Sequence, residues 1–238
     1  MLHPRPQTSP EGRNQTSMRG LFFACFLFWS SLVWSQVGWS GAYQNFEAPS
    51  WNLSQGPEGV LLKNGSQWGL SYHWPTPYRP VRMVTRAYYA SFRQSSNPQQ
   101  ATVRSQSFSF SGGLKISPLL FLLNCDCQDL KDGLFVGAEV NYSSFFLDYQ
   151  LPKFGISDRA NTLAWEGNLG FQFNYGDHIY IFPTFVFQYY PEIRWDGLEE
   201  IRTPESDYFF REESFLRLIG FRLEFVYQWK TPGPETAY

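Results

Sequence analysis

Few residues in this chain have the types and spacing that could do chemistry. Ser71 and His73 stand two apart on one segment. A serine becomes a nucleophile when an imidazole takes its proton and a third group orients the ring. Two neighbouring positions on the same face of a strand rarely supply that geometry, so a packing role for His73 is the expectation and lipid-acyl hydrolysis a remote alternative. Of the other histidines, His3 lies in the N-terminal region, and His178 falls in a short turn expected at the opposite end from His73. Cys125-Asp-Cys127 offers two thiols, short of the three or four ligands of a zinc site. In an oxidising compartment a Cys125–Cys127 disulfide is the better expectation, although its ring is tight. Asn52, Asn64 and Asn141 open Asn-x-Ser triplets, a pattern that arises by chance. No phosphate loop, HExxH helix motif or nucleophile elbow is present. A non-enzyme without metal or cofactor is predicted.

Composition narrows the function classes further. Nineteen basic and twenty-one acidic residues leave a charge of −2, which is no footprint for nucleic acid. Aromatic residues make up 19% of the chain and charged residues only 17%. Content this apolar argues against disorder, while a mean hydropathy of −0.34 argues against a polytopic helical membrane protein. The apolar run Leu21–Trp34 follows Arg19 and precedes Ser35, as in a secretory signal, and is short for a spanning helix. Residues 1–35 are therefore expected to be an upstream extension plus signal peptide, with Met18 as a candidate start. Residues 36–65 are predicted as an irregular lead-in, 66–229 as the folded unit and 230–238 as a tail.

The folded unit is written in period-2 alternation, the signature of strands. Leu163, Trp165, Leu169, Phe171, Phe173 and Tyr175 share one face, while Ala164, Glu166, Asn168, Gly170 and Gln172 share the other. Phe221, Leu223, Phe225, Tyr227 and Trp229 likewise oppose Arg222, Glu224 and Gln228, and Trp68, Leu70, Tyr72 and Trp74 oppose Gly69 and Ser71. Glu139 and Asn141 oppose Val136, Val140 and Tyr142. The polar faces are small and sparsely charged, whereas the apolar faces are bulky and ringed with Trp and Tyr. Lipid outside and a crowded polar lumen inside would ask for that division. Hence Trp68, Tyr72, Trp165, Phe171, Phe173, Phe221, Leu223, Phe225 and Trp229 are predicted to face lipid. Glu139, Glu166, Arg222 and Glu224 are predicted to form a charge network within the barrel. A soluble lipocalin-like carrier with the faces reversed is the alternative.

An all-β, antiparallel up-and-down barrel follows, closed because lipid tolerates no unpaired backbone. Eight strands are predicted at 66–74, 83–94, 102–111, 114–123, 133–150, 162–175, 179–190 and 215–229. The fourth returns from a hairpin at Gly112-Gly113, and a ten-stranded variant would use 58–63. The 191–214 connection is the longest and is assigned to the outer end.

The last strand reads Gly220-Phe-Arg-Leu223-Glu-Phe225, and 168–175 has the same form. This spacing is similar to the signal that barrel-assembly machinery reads on its clients. With the alternation over residues 60–229, the chain resembles the small outer-membrane β-barrel proteins of Gram-negative bacteria. The resemblance implies an outer-membrane location, lipid and barrel-assembly machinery as partners, and a structural, surface or adhesive role, or narrow-channel transport.

Overall fold

The computed structural model describes residues 36–52, 62–74, 76, 80–96, 101–119, 133–151, 154–176, 178–197 and 212–229. The strands are β1 (Gln36–Glu47), β2 (Asn64–Trp74), β3 (Val81–Ser96), β4 (Ala101–Ile116), β5 (Leu134–Leu151), β6 (Phe154–Phe171), β7 (Phe173–Tyr175), β8 (Ile179–Arg194) and β9 (Glu213–Gln228). One helical turn, α1 (Pro49–Asn52), follows β1. Each strand pairs antiparallel with its neighbour, and β1 pairs with β9 to close the sheet. β7 continues β6 beyond Gln172 against the same partner, so the wall has eight staves.

The register fixes the barrel's shape. Stepping round from Gln36 through His73, Val84, Gly113, Glu139, Glu166, Gln188 and Leu218 returns to β1 at Phe46, ten residues further on. Closing a sheet with such a stagger tilts its strands by roughly 35–45° and, with eight strands, leaves a lumen that side chains fill. Both ends of the barrel sequence, Gln36 and Gln228, lie at one end, here the near end. The strand ends Glu47, Asn64, Ser96, Ala101, Leu151, Phe154, Arg194 and Glu213 are at the far end.

Two expectations about the strands fail, and their errors cancel in the count. The segment 36–47 is not an irregular lead-in but the first stave. Its alternation is muted because Gly38, Ser40, Ala42 and Gln44 face inward, and outward Gly41 lies beneath the Trp68 ring, which a Cβ would meet at 2.8 Å. Gly112-Gly113 is no hairpin: β4 runs straight through it. Among the described glycines only Gly176 and Gly197 have positive φ, at 66° and 81°, as turns require. Gly113 faces Glu139 across the ladder, where a side chain would collide with that residue's Cα at 2.6 Å. It serves close approach rather than reversal. β6 also starts at Phe154, inside a predicted loop. The ten-stranded variant falls, since 36–47 closes the barrel. The signal segment 1–35, the tail 230–238 and Cys125 and Cys127 lie outside the described residues.

Side chains alternate as the pleat demands. Outward on successive strands stand two aromatic girdles. Tyr72, Trp74, Tyr175, Tyr227 and Trp229 ring the near end, and Tyr43, Trp68, Tyr89, Tyr142, Trp165 and Tyr189 ring the barrel higher up. Between them the wall is apolar, for example Leu70, Leu114, Val136, Leu169 and Phe185, all exposed. On β4 the apolar outer face spans Ile116 to Phe108, about the nine to eleven residues a tilted strand needs to cross a bilayer.

Above the upper girdle both faces exchange character while the alternation continues. Outward positions become Ser91 and Arg93 on β3, Gln106 and Arg104 on β4, Asp148 and Gln150 on β5, and Arg159 on β6. Inward positions become Phe92, Val103, Leu147, Tyr149, Ile193 and Leu216, which join Phe46, Trp51, Leu62 and Trp195 in one buried cluster. The far third is therefore a crown with its own apolar core and a polar exterior.

Candidate functional site

Between the girdles the lumen is polar. β4 lines it with Ser105, Ser107, Ser109, Ser111 and Gly113, whose small size leaves room for long charged side chains from other strands. Arg222 on β9 donates from its two terminal nitrogens to Glu166 on β6, at 2.8 and 3.0 Å. Gln188 Nε2 donates to the same carboxylate at 2.6 Å. Glu224 binds His73 Nε2 at 2.9 Å, Lys115 Nζ at 2.9 Å and Arg86 Nη2 at 3.3 Å. Arg86 also donates to Glu139, which accepts from Ser111 Oγ and Asn168 Nδ2 at 2.9 Å each. Lys115 sits 4.7 Å from the centre of the Phe135 ring and 4.5 Å from that of Phe182, below the network.

Apart from His73, the buried acidic and basic side chains among the described residues are three carboxylates (Glu139, Glu166, Glu224) and three cations (Arg86, Lys115, Arg222). Such balance is the condition for keeping charges in a low-dielectric interior. Arg86, Lys115 and His73 join the four predicted residues, which alone carry an excess of two negative charges and so demand two inward cations. Arg86 shares parity with Val84 and Tyr88, and was there to be found. Lys115 was hidden by the false hairpin.

Glu139, Glu166, Arg222 and Glu224 are all buried within the lumen. Trp68, Trp165, Phe171, Phe173, Phe221, Phe225 and Trp229 are exposed on the outer wall, and Tyr72 and Leu223 are half-buried on that wall. His73 is engaged by Glu224, and Ser71 Oγ has no hydrogen-bond partner among the described residues, so the two form no nucleophilic pair. The two histidines expected at opposite ends lie at the same one. Gln36 pairs with both His73 and Gln228, and His178 Nδ1 is 3.2 Å from the Gln228 carbonyl. The extra stave β1 reverses the direction of β2 and so moves His73.

The crown carries a seam. β6 and β8 are paired only from Gly170–Thr184 to Trp165–Tyr189. Beyond Tyr190 the register of β8 slips at Pro191-Glu192. Proline has no N–H for a ladder and is confined to edges and bulges. The separated edges flank a groove of about 520 Å³ lined by Asp158, Arg159, Asn161, Thr162, Glu192 and Arg194, among others. Thr162 Oγ1 donates across it to the Glu192 carbonyl at 2.8 Å, and Asp196 N to Asp158 Oδ2 at 2.8 Å. Arg194 is held at the rim by Asp196 and Glu212, whose carboxylates raise its pKa, Asp196 foremost. Among the described residues no group of three metal-ligating side chains occurs.

No protein-family model matches the chain, and no curated protein matches it by sequence. Several solved structures align with it over most of their length. Ail, the attachment invasion locus protein of Yersinia pestis, aligns with a TM-score of 0.48 at 10% identity, covering 82% of this chain and 97% of that one. Neisserial surface protein A aligns at 0.45 and 8%, with coverage of 82% and 97%. The outer membrane protein OprG from Pseudomonas aeruginosa aligns at 0.43 and 10%, with coverage of 84% and 97%.

Proposed function

We propose that this chain is an outer-membrane barrel whose crown displays the far-end connections at the cell surface, in a structural or adhesive role. The observation that carries the reading is the coordinated exchange of faces. Apolar residues point outward and charges inward between the girdles, and both reverse together above them. Water on all sides would not require that reversal, whereas a slab of hydrocarbon ending at the upper girdle would. A lipocalin-like carrier needs an apolar lumen around its ligand, and this lumen holds the Arg222–Glu166 and Lys115–Glu224 pairs instead. General diffusion is not part of the proposal, because the charge network and the crown core both fill the passage.

Cell fractionation tests it. The chain should sediment with the outer membrane and migrate faster on gels when unheated than when boiled. Recovery in osmotic-shock fluid would contradict the reading.

A further inference from the structure

Arg93 on β3 and Arg104 on β4 are direct cross-strand partners, both outward and exposed, just above the upper girdle. Like charges placed opposite one another on a sheet destabilise it. Neither guanidinium meets a carboxylate among the described residues. Arg104 is steadied by Gln106, whose amide oxygen, correctly oriented, accepts from Arg104 Nη2 at 2.9 Å and from Tyr89 OH at 2.6 Å. Asp148, opposite Arg104 on β5, is taken up by Ser157 Oγ at 2.7 Å and Gln150 Nε2 at 2.9 Å. Beside it Arg159 lies over the Phe146 ring, 5.0 Å from its centre, and donates to Ser144 Oγ at 3.1 Å. The wall from β3 to β6 thus presents three arginines to one aspartate at this level.

We infer that Arg93 and Arg104 clamp a phosphate group, in the first place one borne by an anionic lipid of the surrounding leaflet. Two guanidinium groups carried at directly paired positions of adjacent strands can both reach the oxygens of a single phosphate, and an anion between them removes the repulsion that the bare pair carries. Long arginine side chains reach back toward the headgroup level while their stems lie along the wall. Exposed Phe108 and Phe146, below and beside the pair, give the acyl part of such a lipid an apolar surface. The lipid source rests on the membrane reading above, but the clamp itself does not.

The test uses the full chain, as wild type, as R93Q/R104Q, and as R217Q on another part of the wall. Each is inserted in phosphatidylethanolamine vesicles doped with lipid A, and retained lipid A is counted by native mass spectrometry after extraction. Wild type and R217Q should retain it. R93Q/R104Q should retain on the order of tenfold less, as expected for loss of a charge-assisted contact. Dephosphorylated lipid A should not be retained. In a second arm, inorganic phosphate is titrated onto the detergent-solubilised proteins and thermal unfolding is followed. A stabilisation seen only with Arg93 and Arg104 present, without lipid A retention, would support the clamp with free phosphate as its ligand. Equal retention and equal phosphate response in R93Q/R104Q and wild type would overturn it. Failure of wild type to enter vesicles would sink the membrane reading, and the phosphate titration would still judge the clamp.

Discussion

Arg222 and Glu166 meet across the lumen from strands that do not pair with each other, β9 and β6, through two hydrogen bonds of 2.8 and 3.0 Å. This tie spans the intervening stave β8 and belongs to a buried set in which positive and negative charges are equal in number. Its energetic meaning lies in what happens when one side is removed.

Glu166→Met leaves the Arg222 guanidinium, and Arg222→Met the Glu166 carboxylate, buried without its counter-charge, and the expected loss is about 3–5 kcal/mol for each. Replacing both by methionine removes the desolvation burden on each side, so the double variant should lose clearly less than the two single changes added together. Urea unfolding of the four proteins in vesicles, read as a double-mutant cycle, measures the difference. Strict additivity would mean that the pair is not coupled.

The wall should respond to charge according to height. Leu169→Arg, at an exposed apolar position between the girdles, should cost about 2–4 kcal/mol in vesicles. Ser91→Arg, on the polar side of the boundary, should stay within about 0.5 kcal/mol. The same unfolding measurement checks both, and equal costs would place the hydrocarbon boundary elsewhere.

The crown has a core of its own, so it can be loosened by itself. Trp51 and Trp195 are fully buried and meet edge to face with ring centres 5.6 Å apart. Trp195→Ala should cost about 3–5 kcal/mol. Proteolysis of intact cells should then cut the far-end connections faster, while the strands between the girdles stay protected.

Because two plugs fill the passage in series, opening one should not make a pore. Wild type and Arg86→Ser are both expected to leave sugar entry into proteoliposomes at the level of protein-free vesicles. Swelling with wild type would contradict the filled lumen.

The period of the pattern was legible in the sequence wherever bulky residues mark one face. Leu163 to Tyr175 and Phe221 to Trp229 assign their own sidedness. β1 escaped because Gly41 sits outward, and its place is covered by a ring from β2. Only the neighbouring strand explains that glycine. Gly112-Gly113 misled because a glycine pair serves a turn and a close approach equally well, and Glu139, which decides between them, comes from β5. The crown was obscured for a different reason. On β5 the alternation runs on without interruption from Glu139 to Tyr149, yet the inward face changes from Glu139, Asn141 and Ser143 to Phe145, Leu147 and Tyr149. Periodicity assigns faces, but which medium touches each face depends on height, and height depends on the stagger of the whole barrel.

Site-directed spin labels along β4 in vesicles test the central claim most directly. Single cysteines at positions 104 to 114, in a Cys-free background, would be probed with oxygen as a lipid-soluble relaxant and a nickel chelate as a water-soluble one. Labels at Phe108, Phe110 and Leu114 should relax with oxygen, those at Ser107, Ser109 and Ser111 with neither, and that at Arg104 with nickel. Nickel access at Phe108, Phe110 and Leu114 equal to that at Arg104 would contradict the account, because the apolar wall would then be facing water.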